Sequence, residues 1–230
     1  MSKVFLSLLS TLVLVSCGSQ YAITGETSVP ALDGKMVFIK ALKGNEWVSI
    51  DSTEVIHGTF AMEGNVDSVL LATLFAGDMQ IMPFILEQGH LNLKIENAGF
   101  SLQGTHLNDV LNDFILKKRC LDDKAYYLDR EESKLIMEGY TLEEVQERLS
   151  KEYEQLADEM RNLVRTFVKR NYDNVLGPSL FLMLGGSQPY PTLSPLMKEI
   201  LSSAPDSFLQ HPYVRIYTEY LPESADMVVE

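Results

Sequence analysis

From residue 21 to Gly104, apolar and polar residues alternate in short runs separated by glycine-bearing turns. The alternation is cleanest in His90-Leu91-Asn92-Leu93-Lys94-Ile95-Glu96, with Leu91, Leu93 and Ile95 on one face, the period of a half-buried strand. Further strands are predicted over 21–27, over 35–40 after the Asp33-Gly34 turn, and over 47–51 after Lys43-Gly44-Asn45. Residues 53–57 and 59–62 read as the arms of a hairpin about His57-Gly58. Residues 66–75 are apolar nearly throughout, as in a strand buried on both faces. Residues 79–86 follow, and Pro83, lacking an N–H, restricts that strand to a sheet edge or a bulge. Seven or eight short strands at this spacing predict an antiparallel β-sandwich or open barrel.

After Gly104 the period changes from two to three and four. Thr105 is the expected N-cap of a helix whose apolar seam runs through Leu107, Leu111, Phe114, Leu121, Ala125, Leu128 and Leu135, with Lys118 and Glu132 at the intervening positions. Gly139 is placed to end it. Thr141-Leu142-Glu143-Glu144 reads as a capping box. A second helix then carries Leu142, Leu149, Leu156 and Leu163 every seven residues, with Tyr153, Met160 and Phe167 in a parallel row. Two seams joined by a tight turn predict an antiparallel helical hairpin about 45 Å long at ~1.5 Å per residue. That length exceeds a small sandwich, so the hairpin either projects or packs on the sheet. Shorter helices are expected over 179–184, 195–203 and 208–221, and residues 222–230 form an acidic tail. The expected class is α+β.

The first residues obey a third pattern. Lys3 precedes an apolar run from Val4 to Ser16, which at 13 residues is shorter than the ~20 needed to span a bilayer as a helix. A positive start, a run of this length and a small residue at its end describe a signal peptide over 1–16. Leu14-Val15-Ser16-Cys17 resembles the lipobox of bacterial lipoproteins. The resemblance implies a diacylated Cys17 thiol, cleavage before Cys17 and a third chain on the new amine. Several acyl chains, at ~0.8 kcal/mol per buried methylene, give lasting attachment where one does not. Gly18 in place of an aspartate implies outer-membrane sorting. Ser19, Gln20 and Tyr21 lack an acidic run, which favours the periplasmic face over the cell surface.

Composition narrows the function. Removing the first 16 of 230 residues leaves 214, ample for a core. The net charge of −13 excludes a nucleic-acid partner, whose phosphates demand a basic face. Ten of the fourteen glycines precede residue 105, while 28 of the 51 charged residues fall in 105–173. This shift puts a boundary near Gly104, between a β-rich domain over 17–104 and a helical domain over 105–221. Cys17 and Cys120 are the two cysteines, so once Cys17 is acylated no intrachain disulfide and no Cys-x-x-Cys are possible. His57, His90, His106 and His211 are far apart, without zinc-ligand spacing. The lone Trp47 fits sheet packing better than a ligand site. Cys120 beside Lys117, Lys118 and Arg119 has cations that favour a thiolate, yet it adjoins the seam residue Leu121. The adjacent acids Glu131 and Glu132, Glu143 and Glu144, and Asp158 and Glu159 diverge on a helix, so they read as a solvated face and not an acid–base pair. Gly185-Gly186-Ser187 is too short for a phosphate loop. The expectation is no catalytic residue, no metal and no cofactor.

Several stretches together carry a resemblance: Tyr21-Ala22-Ile23-Thr24-Gly25, Asp33-Gly34-Lys35, Trp47 to Ser52, Gly58-Thr59-Phe60, Phe84 to Gly89 and Gly104 to Asn108. They resemble a domain of unknown function found at the N-terminus of lipoproteins whose C-terminus is a thioredoxin-like, peroxiredoxin-type thiol oxidoreductase. Asn171 to Pro178 and Ala204 to Val214 are similar to the segment that leads into that module. This chain is expected to stop where the module would begin, so the family's dithiol has no counterpart here. The resulting expectation is a non-enzymatic lipoprotein of the cell envelope, a binding or docking module on the periplasmic face of the outer membrane. An alternative is an accessory to a separate thioredoxin-like oxidoreductase.

Overall fold

The computed structural model describes residues 20–43, 46–186 and 193–219. Cys17 and the tail 222–230 lie outside the described residues, as do Gly44, Asn45 and Ser187. Among the described residues eight strands form two four-stranded sheets: β1 (Gln20–Thr27), β2 (Met36–Lys43), β3 (Glu46–Glu54), β4 (Thr59–Asn65), β5 (Leu70–Ala76), β6 (Met79–Leu86), β7 (Gly89–Glu96) and β8 (Gly99–Gln103). One sheet has the order β4-β1-β7-β8 and the other β3-β2-β5-β6. The class is α+β, a sandwich and not a closed barrel. One pair departs from the antiparallel expectation: β1 runs parallel to β7, Tyr21 opposite Gly89 and Thr27 opposite Ile95. The four strands of the other sheet, with β4, make up the long connection that a parallel pair requires.

The hairpin expected about His57-Gly58 forms only its turn. Ile56 and Thr59 exchange backbone hydrogen bonds, N–H to O, of 2.8 and 3.1 Å, around His57 at φ 52° and Gly58 at φ 73°. The arms then part, β3 pairing with β2 and β4 with β1. The fully buried Val55 plugs the space between the sheets at that crossing. Alternation sets the core as expected, with Leu91, Leu93 and Ile95 all buried. β5 is buried on both faces over Ala72–Phe75, and β6 is an edge strand with a register shift beside it. Gly25 and Gly64 stand opposite Phe60 and next to the Tyr21 ring, which occupy the volume a β-carbon would need.

Among the described residues six α-helices follow: α1 (His106–Met137), α2 (Leu142–Arg170), α3 (Leu176–Gly185), α4 (Pro195–Ser202), α5 (Asp206–Leu209) and α6 (Pro212–Thr218). The last helix expected over 208–221 is broken in two. Pro212 drives His211 to an extended ψ of 135°, and the chain restarts as α6. Phe181 contacts Phe208 and Tyr217 edge to face at 5.7 and 5.8 Å, tying α3, α5 and α6 together. Their buried side chains are continuous with the sandwich core through Leu111, Phe114, Val164 and Val168.

α1 closes one side of the sandwich. The fully buried Asn108 accepts from the Ile85 N–H (2.8 Å) and donates to the Ile85 carbonyl (2.7 Å), so a side-chain amide replaces a neighbouring strand at the β6 edge. Asn112 accepts from Leu102 N–H on β8 at 3.0 Å. Thr105 is the N-cap by position, but its hydroxyl accepts from the Asn108 amide (2.8 Å). The orphan Leu107 N–H instead donates to the Glu87 carboxylate at 3.1 Å.

Candidate functional site

The strand and helix directions define two poles. Gln20 and Tyr21 begin β1 at the end where Gly104 lies against His90. From there α1 runs back along β8, and the Arg119 guanidinium reaches the Ala98 carbonyl at the opposite end. Eighteen more residues carry α1 from Arg119 to Met137, about 27 Å at ~1.5 Å per residue. The hairpin therefore projects beyond the sandwich, and its tip lies at the pole away from Gln20.

The projecting part packs on itself. Leu135, Val145 and Leu149, with Tyr140 and Tyr153, form a buried cluster separate from the main core. Leu121 and Leu156 bury the seam between the two clusters. Polar contacts clamp the helices: Lys124 pairs with Glu159 across them at 2.7 Å, and the Tyr153 hydroxyl donates to Glu132 (2.9 Å) and Asp129 (3.1 Å). Burial, then these two carboxylates, push the Tyr153 hydroxyl well above the ordinary tyrosine range. Glu132, expected as a polar interruption of the seam, is the acceptor that Tyr153 needs. Lys118 instead faces solvent and binds Asp122.

The tip is built by local chemistry. Gly139 has φ 96°, the Tyr140 N–H donates to the Leu135 carbonyl (3.2 Å), and the Gly139 N–H donates to the Ile136 carbonyl (3.1 Å), a Schellman stop. Glu144 N–H donates to the Thr141 hydroxyl at 3.3 Å, and Thr141 N–H donates to the Glu144 carboxylate at 2.8 Å. The Thr141 N–H bond, then the Thr141 hydroxyl donating to the same carboxylate oxygen at 3.0 Å, hold the Glu144 carboxyl below its ordinary value. Arg148 lies 4.0 Å over the Tyr140 ring. Leu142, expected in the seam, is instead 65% exposed. It is the first residue of α2, beyond the reach of α1, and Val145 one turn later fills the seam. Ile136 and Met137 are also exposed, Met137 at 81%, so three large apolar side chains surround one turn.

The other residues singled out in the sequence do not converge. Cys120 is exposed, with Lys117 and Lys118 turned to Asp113 and Asp122, and Arg119 to Ala98. The paired acids separate: Glu131 to Lys134, Glu132 to Tyr153, Glu144 to Thr141, Asp158 to Arg161, Glu159 to Lys124. His90 lies on the outer sheet face with Thr24 (3.1 Å) and Asn92 (3.2 Å). Trp47 stands on a sheet face with its ring 5.0 Å from that of Phe75. Gly185 is packed under the Tyr217 ring. Among the described residues there is no group of three or more metal-holding side chains, and no helix is long and apolar enough to cross a membrane. One feature escaped the sequence: a mostly apolar cleft of about 670 Å³ between the Val29–Leu32 segment and the β5–β6 turn, with Met36 and Met79 at its wall. Its walls come from three separate segments, 29–38, 76–81 and 95–97, and no local pattern marks it.

A domain of unknown function, DUF4369, is found at residues 21–111, which covers all eight strands and the first turns of α1. No curated protein matches the chain.

Proposed function

We propose that the chain is a non-enzymatic lipoprotein of the cell envelope, held by acylated Cys17 on the periplasmic face of the outer membrane, which uses the helical hairpin as a docking arm. The observation that carries this reading is the arm itself, a hairpin with its own small core and an uncovered apolar tip. Apolar side chains left in water at the end of a stiff element mark a contact for another molecule. β1 begins three residues after Cys17, and the arm leaves from the pole away from Gln20, which supports an arm directed away from an anchored start. Residues 129–148 contain seven acids and three bases, so the partner would be a protein surface with an apolar recess rimmed by lysine or arginine. A thioredoxin-like oxidoreductase supplied by a separate chain is the partner class suggested by the lipoproteins that the strand region resembles.

The test is photo-crosslinking in the native host from a probe at Met137. A discrete adduct is expected, lost in Leu142→Glu without a change in melting temperature, and Cys17→Ser should release the chain from membranes. No adduct from Met137 would refute the arm, and unchanged membrane fractionation of Cys17→Ser would refute the anchor. A Cys-x-x-Cys protein in the adduct would favour the redox partner.

A further inference from the structure

Three of the four sheet edges carry a cover or a deterrent. β6 is closed by Asn108 and contains Pro83. β8 lies under α1, where Asn112 takes the Leu102 N–H. β4 exposes the charged Glu63 with Thr59, Ala61 and Asn65, and no large apolar side chain among them. β3 is different. It ends its sheet, it is exposed on both faces over Glu46 to Ile50, and it carries Trp47, Val48 and Ile50, of which Trp47 is 42% exposed. A free strand edge presents unpaired N–H and C=O groups, and with apolar side chains beside them it is a template for another strand.

The guard on β3 covers only its second half. Ser49 pairs with Lys40 and Asp51 with Ile39, which leaves Ile50 as the extra residue of a bulge. Asp51, opposite the core residue Ile39, accepts from the Tyr21 hydroxyl at 2.9 Å and from Ser52 N–H at 2.7 Å. A bulge and an inward carboxylate both deter edge pairing. Glu46–Ser49, ahead of the bulge, have neither. There Trp47 packs edge-on against Phe75, whose ring also lies under the Lys40 ammonium at 4.6 Å.

We propose that the β3 edge takes an extended segment of another protein, a strand that alternates lysine or arginine with β-branched or aromatic residues. The backbone ladder dictates the strand shape. Glu46 and Glu54 stand exposed on β3, which carries no cation, and this selects a basic strand. The same acids oppose a second copy of this chain: antiparallel self-pairing centred on Ile50 sets Glu46 against Glu54, and like charges directly opposite destabilise a pair. The exposed Trp47 ring offers a seat for an aliphatic stem or a cation. This surface is separate from the arm and does not depend on the anchor.

The probes are a short blocked peptide alternating Lys and Val and its Glu–Val counterpart, each titrated onto the full-length chain at about 0.15 M salt. The cationic peptide is expected to bind and to slow amide exchange in β3 but not in β4, with the anionic peptide at least about tenfold weaker. Trp47→Lys, a surface change that should keep the melting temperature, weakens binding at least about tenfold, and Ser49→Pro abolishes it. If Ser49→Pro unfolds the chain, Trp47→Lys decides alone. The proposal is overturned by no binding, by protection away from β3, or by indifference to Trp47→Lys. A dimer in sedimentation whose β3 amides are protected before peptide is added would also overturn it.

Discussion

Asn108 joins the helical part to the sheets through one side chain. Its amide satisfies the N–H and the C=O of Ile85 in a place without water. Asn108→Leu keeps the volume but orphans both groups, and an unpaired buried polar group costs about 1–3 kcal/mol. We expect a loss of about 3 kcal/mol, read as a lower urea midpoint with an unchanged slope. His211 acts locally. Its Nδ1 accepts from the Tyr213 N–H at 3.2 Å at the start of α6, and burial lowers its pKa from the ordinary 6.5. The native state thus disfavours the proton that the unfolded chain accepts. The stability His211 contributes is fully present above about pH 6.5 and is lost as pH falls through that value toward the lowered native one. His211→Asn keeps an acceptor that does not titrate. The wild-type melting temperature should fall more steeply than that of the variant between about pH 7 and pH 5, and parallel curves would remove His211 from the account.

At the scale of elements, the arm depends on its turn. Gly139 adopts a backbone conformation that costs a residue with a β-carbon, and Thr141 caps α2. Gly139→Ala and Thr141→Ala should each cost about 1 kcal/mol. The loss should be local, because the cluster of Leu135, Val145 and Leu149 is separate from the main core. The measurement is amide exchange: faster in residues 135–149, unchanged in β5 and β7. Both capping signals were legible in the sequence because a cap is made by residues within one turn of each other. The seam was legible in the middle of each helix and misread at Leu142. A heptad places Leu142 on the correct face, but only the reach of the opposite helix decides whether that face is covered.

For the whole molecule, the separation of the two cores has a consequence. Replacing residues 125–154 with a short Gly/Asn turn removes the arm and its cluster without touching the side chains that join α1 and α2 to the sheets. The shortened chain should still melt cooperatively within a few degrees of the full one, and a molten product would show that the arm supports the body. The sheet edges also belong to this scale. The breaks in the alternation located most of the strands, but 47–51 and the start of 53–57 belong to the single strand β3, and β8 was not expected. Pro83 marked β6 as an edge, but nothing in the run Glu46–Glu54 announces that one of its sides is open.

The chain's periodicities and cap residues alone determined its class, its strand-then-helix order, most of the buried faces and the caps at Gly139 and Thr141, because each is set by residues two to seven apart on a regular element. They also marked an apolar run from Val4 to Ser16 ahead of Cys17. The tertiary structure decided which strands pair, that β1 lies parallel to β7, where the hairpin about His57 parts, and which way the arm points. Those outcomes rest on contacts between residues tens of positions apart, such as Tyr21 with Asp51 and Asn108 with Ile85. Sequence spacing carries no information about such contacts. They are settled by how two twisted sheets and a helix share one dry interior.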